Sequence, residues 1–144
     1  MLRQFAVGFA VSILNIGIHA LVTMLVVRAT RRAGGNKISS QSLHLVAVMV
    51  TTASILMVAH TTEVAVWSSI YLIAAAAPPD ANLMYFAFVN YTTLGYGDVT
   101  HVARWQLLGP MTAMNGMLLF GWSTAVIFEV LHRAMVRLSL VESI

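Results

Sequence analysis

Cysteine is absent from the 144 residues, which excludes disulfides and thiolate metal sites and leaves the redox compartment open. Charge is nearly as scarce: eight basic and five acidic side chains make up 9% of the chain, against 59% hydrophobic residues. A soluble domain carries about 25% charged residues to cover its surface, so that class is excluded. The pI near 9.8 invites a nucleic-acid reading, but the few basic residues stand beside apolar runs and fit a membrane surface instead. Hydrolase, phosphate-loop and zinc motifs are also missing, so nothing points to an enzyme. What these absences leave is an integral membrane protein with no nucleic-acid partner.

Three apolar runs are long enough for a bilayer, which takes about 20 helical residues. The first, 5–27, holds no formal charge and is interrupted only by Asn15 and His19. It exceeds the roughly 7–15 apolar residues of a signal peptide, and Arg28, Arg31 and Arg32 follow it, so it reads as a retained helix. The second run, 43–77, has Ser39, Ser40 and Ser42 as candidate caps and ends before Pro78-Pro79. The third, 107–131, opens near Pro110, which a first helical turn tolerates.

Charge sets the expected orientation. Loop 28–42 carries Arg28, Arg31, Arg32 and Lys37 without an acid, and Arg133 and Arg137 follow the third run. Segment 78–106 has Arg104 against Asp80 and Asp98. The basic loop and C-terminus are therefore expected in the cytoplasm, with segment 78–106 and the N-terminus outside a plasma (inner) membrane; Arg3 is a weak contrary signal. Trp67 and Tyr71, one turn apart, are expected to anchor the outer interface. Loop 28–42 is also a candidate contact for anionic lipid.

Residues 83–92, LMYFAFVNYT, are apolar and helix-compatible but too short to span. Thr93-Leu94-Gly95-Tyr96-Gly97 then places two glycines where unusual dihedrals become cheap. Non-helical backbone at membrane depth must be buried in protein or line water. A short helix pointing inward, followed by an extended return, therefore predicts a pore lining. The helix C-terminus near 91–92 carries partial negative charge and favours a cation beneath it.

Thr92-Thr93-Leu94-Gly95-Tyr96-Gly97-Asp98 closely resembles the signature of the potassium-channel pore family. The order of outer helix, short helix, glycine motif and inner helix is similar too, over about 43–132. The departure is Leu94, where valine or isoleucine is usual. The resemblance implies that the carbonyls of Thr93, Leu94, Gly95 and Tyr96, with the Thr93 hydroxyl, replace the water shell of K⁺, the permeant ligand. It implies Leu94 packed behind this filter, Tyr96 braced on the short helix, and Asp98 at the outer mouth as a brace or a ring of charge. One chain supplies one strand, so a closed ring implies a homotetramer. No cofactor is expected. No ladder of arginines marks the first helix, so a voltage sensor of the usual kind is absent.

Glu63, an acid inside an apolar run, is the costliest residue in the chain. It lies about 31 Å along the second helix from residue 42, at the depth expected for the short helix. His60 shares its face. Glu63, held by His60, is expected to hydrogen-bond the filter scaffold from behind; the alternative is a carboxylate reaching water past Trp67. Two ligands are too few for a metal site. Asn15 and His19, at i and i+4, form a face expected to pack on the second helix. Gly116 and Gly121 are candidates for an inner-helix hinge, with close helix packing as the equal alternative. Glu129 and His132 are candidates for the inner mouth.

The expected fold class is an all-α membrane protein: three transmembrane helices, a re-entrant pore helix and an extended selectivity filter, as a tetramer. Residues 1–42 form an extra helix and basic loop, and 43–132 a pore domain with outer helix 43–77, pore helix and filter 82–98 and inner helix 107–132. Residues 133–144 form a short tail. The expected activity is passive K⁺ conduction. A weakly selective cation channel and a non-conducting scaffold are the alternatives; three spans without an internal repeat disfavour a secondary transporter.

Overall fold

The computed structural model describes residues 1–33 and 41–142, with side chains described for 1–29 and 43–136. Helix α1 covers Leu2–Ala33, α2 Gln41–Ala74, α3 Leu83–Tyr91 and α4 Leu108–Glu142, with one 3₁₀ turn at Ala103–Trp105. No strand occurs among the described residues. Segments Leu2–Ala29, Leu43–Ala74 and Ala103–Val136 are long and apolar enough to cross a bilayer.

Helix α1 packs on α2 and α4, and α3 packs on the same two helices. Val64, Trp67 and Tyr71 from α2 meet Phe86 and Tyr91 from α3 and Leu108 and Leu119 from α4 in the main core. A second cluster of Val26, Leu56, Val126 and Val130 ties the other ends of the long helices together. Polar residues lie inside too: Asn15, His19, Thr52, Glu63, Thr112, Asn115 and Ser123 are all buried, while Met57, Val58, Ile73 and Phe128 are exposed. That inversion suits a chain whose outer face meets lipid or other copies rather than water.

Two expected boundaries shift. Helix α2 stops at Ala74, before the two prolines, because Ala75 adopts φ +47. The amide of Ala76 donates to the Tyr71 carbonyl at 2.9 Å and that of Ala75 to Leu72 at 3.1 Å, a Schellman closure with alanine in the usual glycine place. Pro78-Pro79 follow a helix that has already ended. Helix α4 continues well past 132, making most of the expected tail helical, since no glycine or proline interrupts residues 122–142.

The start of the basic loop belongs to α1, while 34–40 lie outside the described residues. Ser39 and Ser40 as caps, and the lipid contact of Lys37, therefore fall outside them, as do the side chains of Arg31, Arg32 and Ser42.

Trp67 and Tyr71 do not anchor an interface. Both are fully buried: the Trp67 indole N–H donates to Asn115 Oδ1 at 3.0 Å, and the Tyr71 hydroxyl lies 2.6 Å from Thr112 Oγ1. Positions 60, 63, 67 and 71 recur at helical spacing, so the face that buries an acid buries these aromatics with it.

The connection from α2 to α4 is closed by the Val102 amide, which donates to the Ala76 carbonyl at 3.0 Å. At its end Arg3 lies over the Trp105 ring, and Gln4 Oε1 accepts from the Leu107 amide at 2.9 Å. The start of α1 and the start of α4 therefore lie at the same end of the molecule.

His101, in this connection, packs its ring on Tyr71 and Phe86 at 4.7 and 4.5 Å. Its Nε2 is buried without a hydrogen-bond partner, and burial pushes the imidazole down from 6.5 to about 4. Between those pH values the unfolded chain binds a proton that the folded chain excludes, so the folded state loses stability as pH falls through that window. Thermal unfolding in detergent at pH 7 and at about 4.5 tests this. His101→Leu is expected to reduce the acid-induced drop in midpoint; an equal drop in both proteins contradicts the assignment.

Candidate functional site

Helix α3 is capped by Asn82, whose side chain accepts the Tyr85 amide at 3.1 Å, and ends at Tyr91. Thr92 closes it, with its hydroxyl and amide both directed to the Phe88 carbonyl at 2.7 and 2.9 Å. The next three amides also turn back: Thr93 donates to Asn90 at 3.0 Å, and Leu94 and Gly95 to Val89 at 3.0 and 3.4 Å. Every second residue then takes a left-handed dihedral, with φ +63 at Thr93, +57 at Gly95 and +77 at Gly97. Glycine adopts that region freely, whereas a β-branched threonine there is a genuine outlier. Strain of this kind, about 1–3 kcal/mol per residue, concentrates at functional sites.

The consequence is a row of acceptors. Among the described residues, the carbonyls of Thr93, Leu94, Gly95 and Tyr96 accept no backbone hydrogen bond, and residues 93–98 are all exposed. They stand beside the negative C-terminal end of α3. Such a row can exchange its unmet hydrogen-bonding capacity for a dehydrated cation.

On this chain alone, two side chains lack the packing that the resemblance implies. Tyr96 is not braced on this chain's α3, nor is Leu94 packed behind the segment; they are 67% and 57% exposed. The backbone is tethered to α3 through its amides, which leaves both side chains free on this chain.

Asp98 is held by the Tyr85 hydroxyl, which donates to Oδ2 at 2.8 Å. The carboxylate raises the Tyr85 phenol above its usual range, so the phenol stays a donor. Tyr85 goes unnoticed in the sequence because an aromatic in an apolar helix carries no sign of a partner thirteen residues on.

Behind α3 lies a buried polar cluster. Glu63 is inaccessible to solvent, which excludes a side chain reaching water past Trp67. Its Oε2 accepts from the Tyr91 hydroxyl at 2.5 Å and lies 3.0 Å from His60 Nδ1, which is itself 2.9 Å from Tyr91 Oη. Glu63 thus meets the last residue of α3, with His60 beside it. The sequence does not reveal that His19, from α1, takes the other oxygen, with Nδ1 2.8 Å from Oε1. Ser123 Oγ from α4 lies 2.8 Å from His60 Nε2 and 3.3 Å from His19 Nε2. The Asn15–His19 face does pack on α2, and on α4 as well: the Asn15 amide donates to the Glu63 carbonyl at 3.2 Å and to Asn115 Oδ1 at 3.1 Å.

The remaining candidates separate. A Cβ on Gly116 would lie 2.0 Å from the Tyr91 carbonyl oxygen, so α4 touches the end of α3 backbone to backbone. Nothing lies within 4 Å of a Cβ built on Gly121. Glu129 is paired with Arg133 one turn on, and His132 stacks on Phe128 at 6.4 Å.

A family model described as an ion channel matches residues 43–133, which include nearly all of α2, all of α3, segment 92–98 and most of α4. No curated protein and no solved structure matches the chain.

Gly116→Ala is expected to cost about 1–3 kcal/mol of stability, because the added methyl meets backbone that cannot rotate away. Gly121→Ala is expected to be neutral or stabilising, as alanine outranks glycine in a helix by about 1 kcal/mol. Unfolding midpoints in detergent that fell equally for both would contradict the contact.

Proposed function

The chain belongs to the pore-loop ion channel family, and on that premise we propose that it is a potassium-selective channel assembled from four copies. Its three long apolar helices make it an integral membrane protein. In the proposed assembly α3 is the re-entrant pore helix and residues 93–97 are one wall of the filter. The single observation that carries this reading is the alternation of left-handed dihedrals at Thr93, Gly95 and Gly97 alongside four unclaimed carbonyls.

In this reading the carbonyls of Thr93, Leu94, Gly95 and Tyr96, with the Thr93 hydroxyl, take the place of K⁺ hydration water. The amides of residues 93–95, bound to α3, keep that edge of the segment fixed, so the oxygens need little reorganisation as ions pass. The exposure of Leu94 and Tyr96 on a single chain supports assembly, since a neighbouring copy offers them cover. Asp98, held by Tyr85, lies at the outer mouth. Helix α4 lines the inner pore, with Gly121 the freer of the two hinge candidates and Glu129 and His132 towards the cytoplasmic end. The N-terminus lies outside and the C-terminus in the cytoplasm, in the plasma membrane.

Leu94 favours one variant of this reading, a cation channel of weaker selectivity. Its side chain is larger than the usual valine, and this chain alone does not pack it. Flux into liposomes with K⁺ against Na⁺ separates the two.

Gly95→Ala is expected to cut K⁺ flux at least roughly tenfold, because a left-handed dihedral costs an L-residue about 1–2 kcal/mol. Flux indifferent to that substitution would sink the filter assignment. Tyr85→Phe removes the hydrogen bond to Asp98 and is expected to hasten the decay of current during sustained opening. Identical decay in single-channel recordings would leave Asp98 without this brace.

A further inference from the structure

The geometry points to a divalent-metal site in the buried cluster between α1, α2 and α3, formed by His19, His60 and Glu63, with a first-row ion such as Zn²⁺ as its ligand. One donor atom from each of the three lies within 4.8 Å of the others. Bonds of about 2.0–2.2 Å place tetrahedral zinc ligands about 3.3 Å apart. The two imidazole–carboxylate separations, 2.8 and 3.0 Å, open to that spacing by a few tenths of an ångström. Tyr91 Oη, 2.5 Å from Glu63 Oε2 and 2.9 Å from His60 Nδ1, is the nearest further donor and becomes a fourth ligand once its separation from Glu63 opens by about 0.8 Å.

The orientation of the two rings suits a metal. Each imidazole turns Nδ1 to the carboxylate and Nε2 to Ser123 Oγ. With the ring proton of each on Nε2, Ser123 accepts both with its two lone pairs, and both Nδ1 lone pairs face the carboxylate, open to a shared cation. The Ser123 oxygen is then the outer partner that metal-bound histidines normally have. Mixed tautomers or one imidazolium satisfy the same contacts without metal, so the ion competes with protons for these donors. The donor set contains nitrogen and oxygen without sulfur, which suits zinc, cobalt or nickel better than calcium or magnesium.

The charges agree. A buried carboxylate is expensive without compensation, and a divalent ion shared with Glu63 and a deprotonated Tyr91 makes a neutral centre, releasing the phenolic proton to solvent. Such a site fastens α1, which lies outside the matched residues 43–133, to Tyr91 at the root of segment 92–98. Any effect of the metal on ion flow rests on the potassium-channel reading above; binding itself does not.

The full chain, purified in detergent and stripped with a chelator, is to be loaded with Zn²⁺ and assayed for bound metal by mass spectrometry. About one ion per chain is expected in the wild type, with Co²⁺ giving the visible absorption of a tetrahedral centre. His19→Gln and His60→Gln are each expected to weaken Zn²⁺ binding at least tenfold, roughly the loss seen even for outer-shell changes, while His44→Gln leaves it unchanged. If the variants do not fold, X-ray absorption of the Zn²⁺-loaded wild type decides: two imidazole neighbours support the site, and one or none overturns it. A wild type that retains no metal, or binding indifferent to His19 and His60, also overturns it, and the cluster then carries only shared protons. Because no ion flux is measured, failure here is distinct from failure of the channel reading.

Discussion

A carboxylate sealed from water must be surrounded by donors or cations, and Glu63 imposes that requirement on the whole helix arrangement. Its two oxygens engage His19 from α1, His60 from its own helix and Tyr91 from α3, and the two histidines reach Ser123 on α4. All four helices thus meet at one charge. Hydrophobic packing alone would allow α1 to slide or turn against α2, since lipid is as apolar as any leucine-lined groove. Polar partners at fixed distances remove that freedom. The Asn15, Asn115 and Trp67 hydrogen bonds extend the same register by about a turn.

From Glu63 the constraint passes to the chain's least helical segment. Tyr91 is both the carboxylate's partner and the residue whose carbonyl rests on Gly116. With its hydroxyl and carbonyl both engaged, Tyr91 fixes the end of α3, and the amides of residues 92–95 hang from that end. The left-handed Thr93 is therefore imposed from outside the segment, since a threonine alone would not choose it. Rigid helices behind the segment leave the carbonyls of residues 93–96 without backbone partners.

Legibility in the sequence followed range. Segment 93–97 could be read because its chemistry is local: two glycines, a threonine pair and an aspartate in seven consecutive positions between apolar runs. The three long helices were legible from hydropathy, and His60 with Glu63 from helical spacing. Hydropathy gives depth rather than facing, however, so Trp67 and Tyr71 read as an interface when their spacing from Glu63 already put them inside. The prolines at 78–79 concealed an earlier stop at Ala75, because alanine is not an expected left-handed cap. His19 and Ser123 join the cluster across 44 and 104 residues, and Tyr85 meets Asp98 across a turn and a loop; no pattern in one sequence announces such pairs.

The hydrogen bond from Asn15 to Asn115 has a bearing on how the protein is made. Its two ends are 100 residues apart. During synthesis the first helix enters the bilayer long before its partners exist, with an amide and an imidazole on one face and nothing to receive them. His19 gains a carboxylate only when the second helix arrives, and Asn15 gains its side-chain acceptor only when the fourth does. The first helix is thus inserted early and seated late, and the polar face that fixes its final position must be sheltered until then by water, by the insertion machinery or by transient partners.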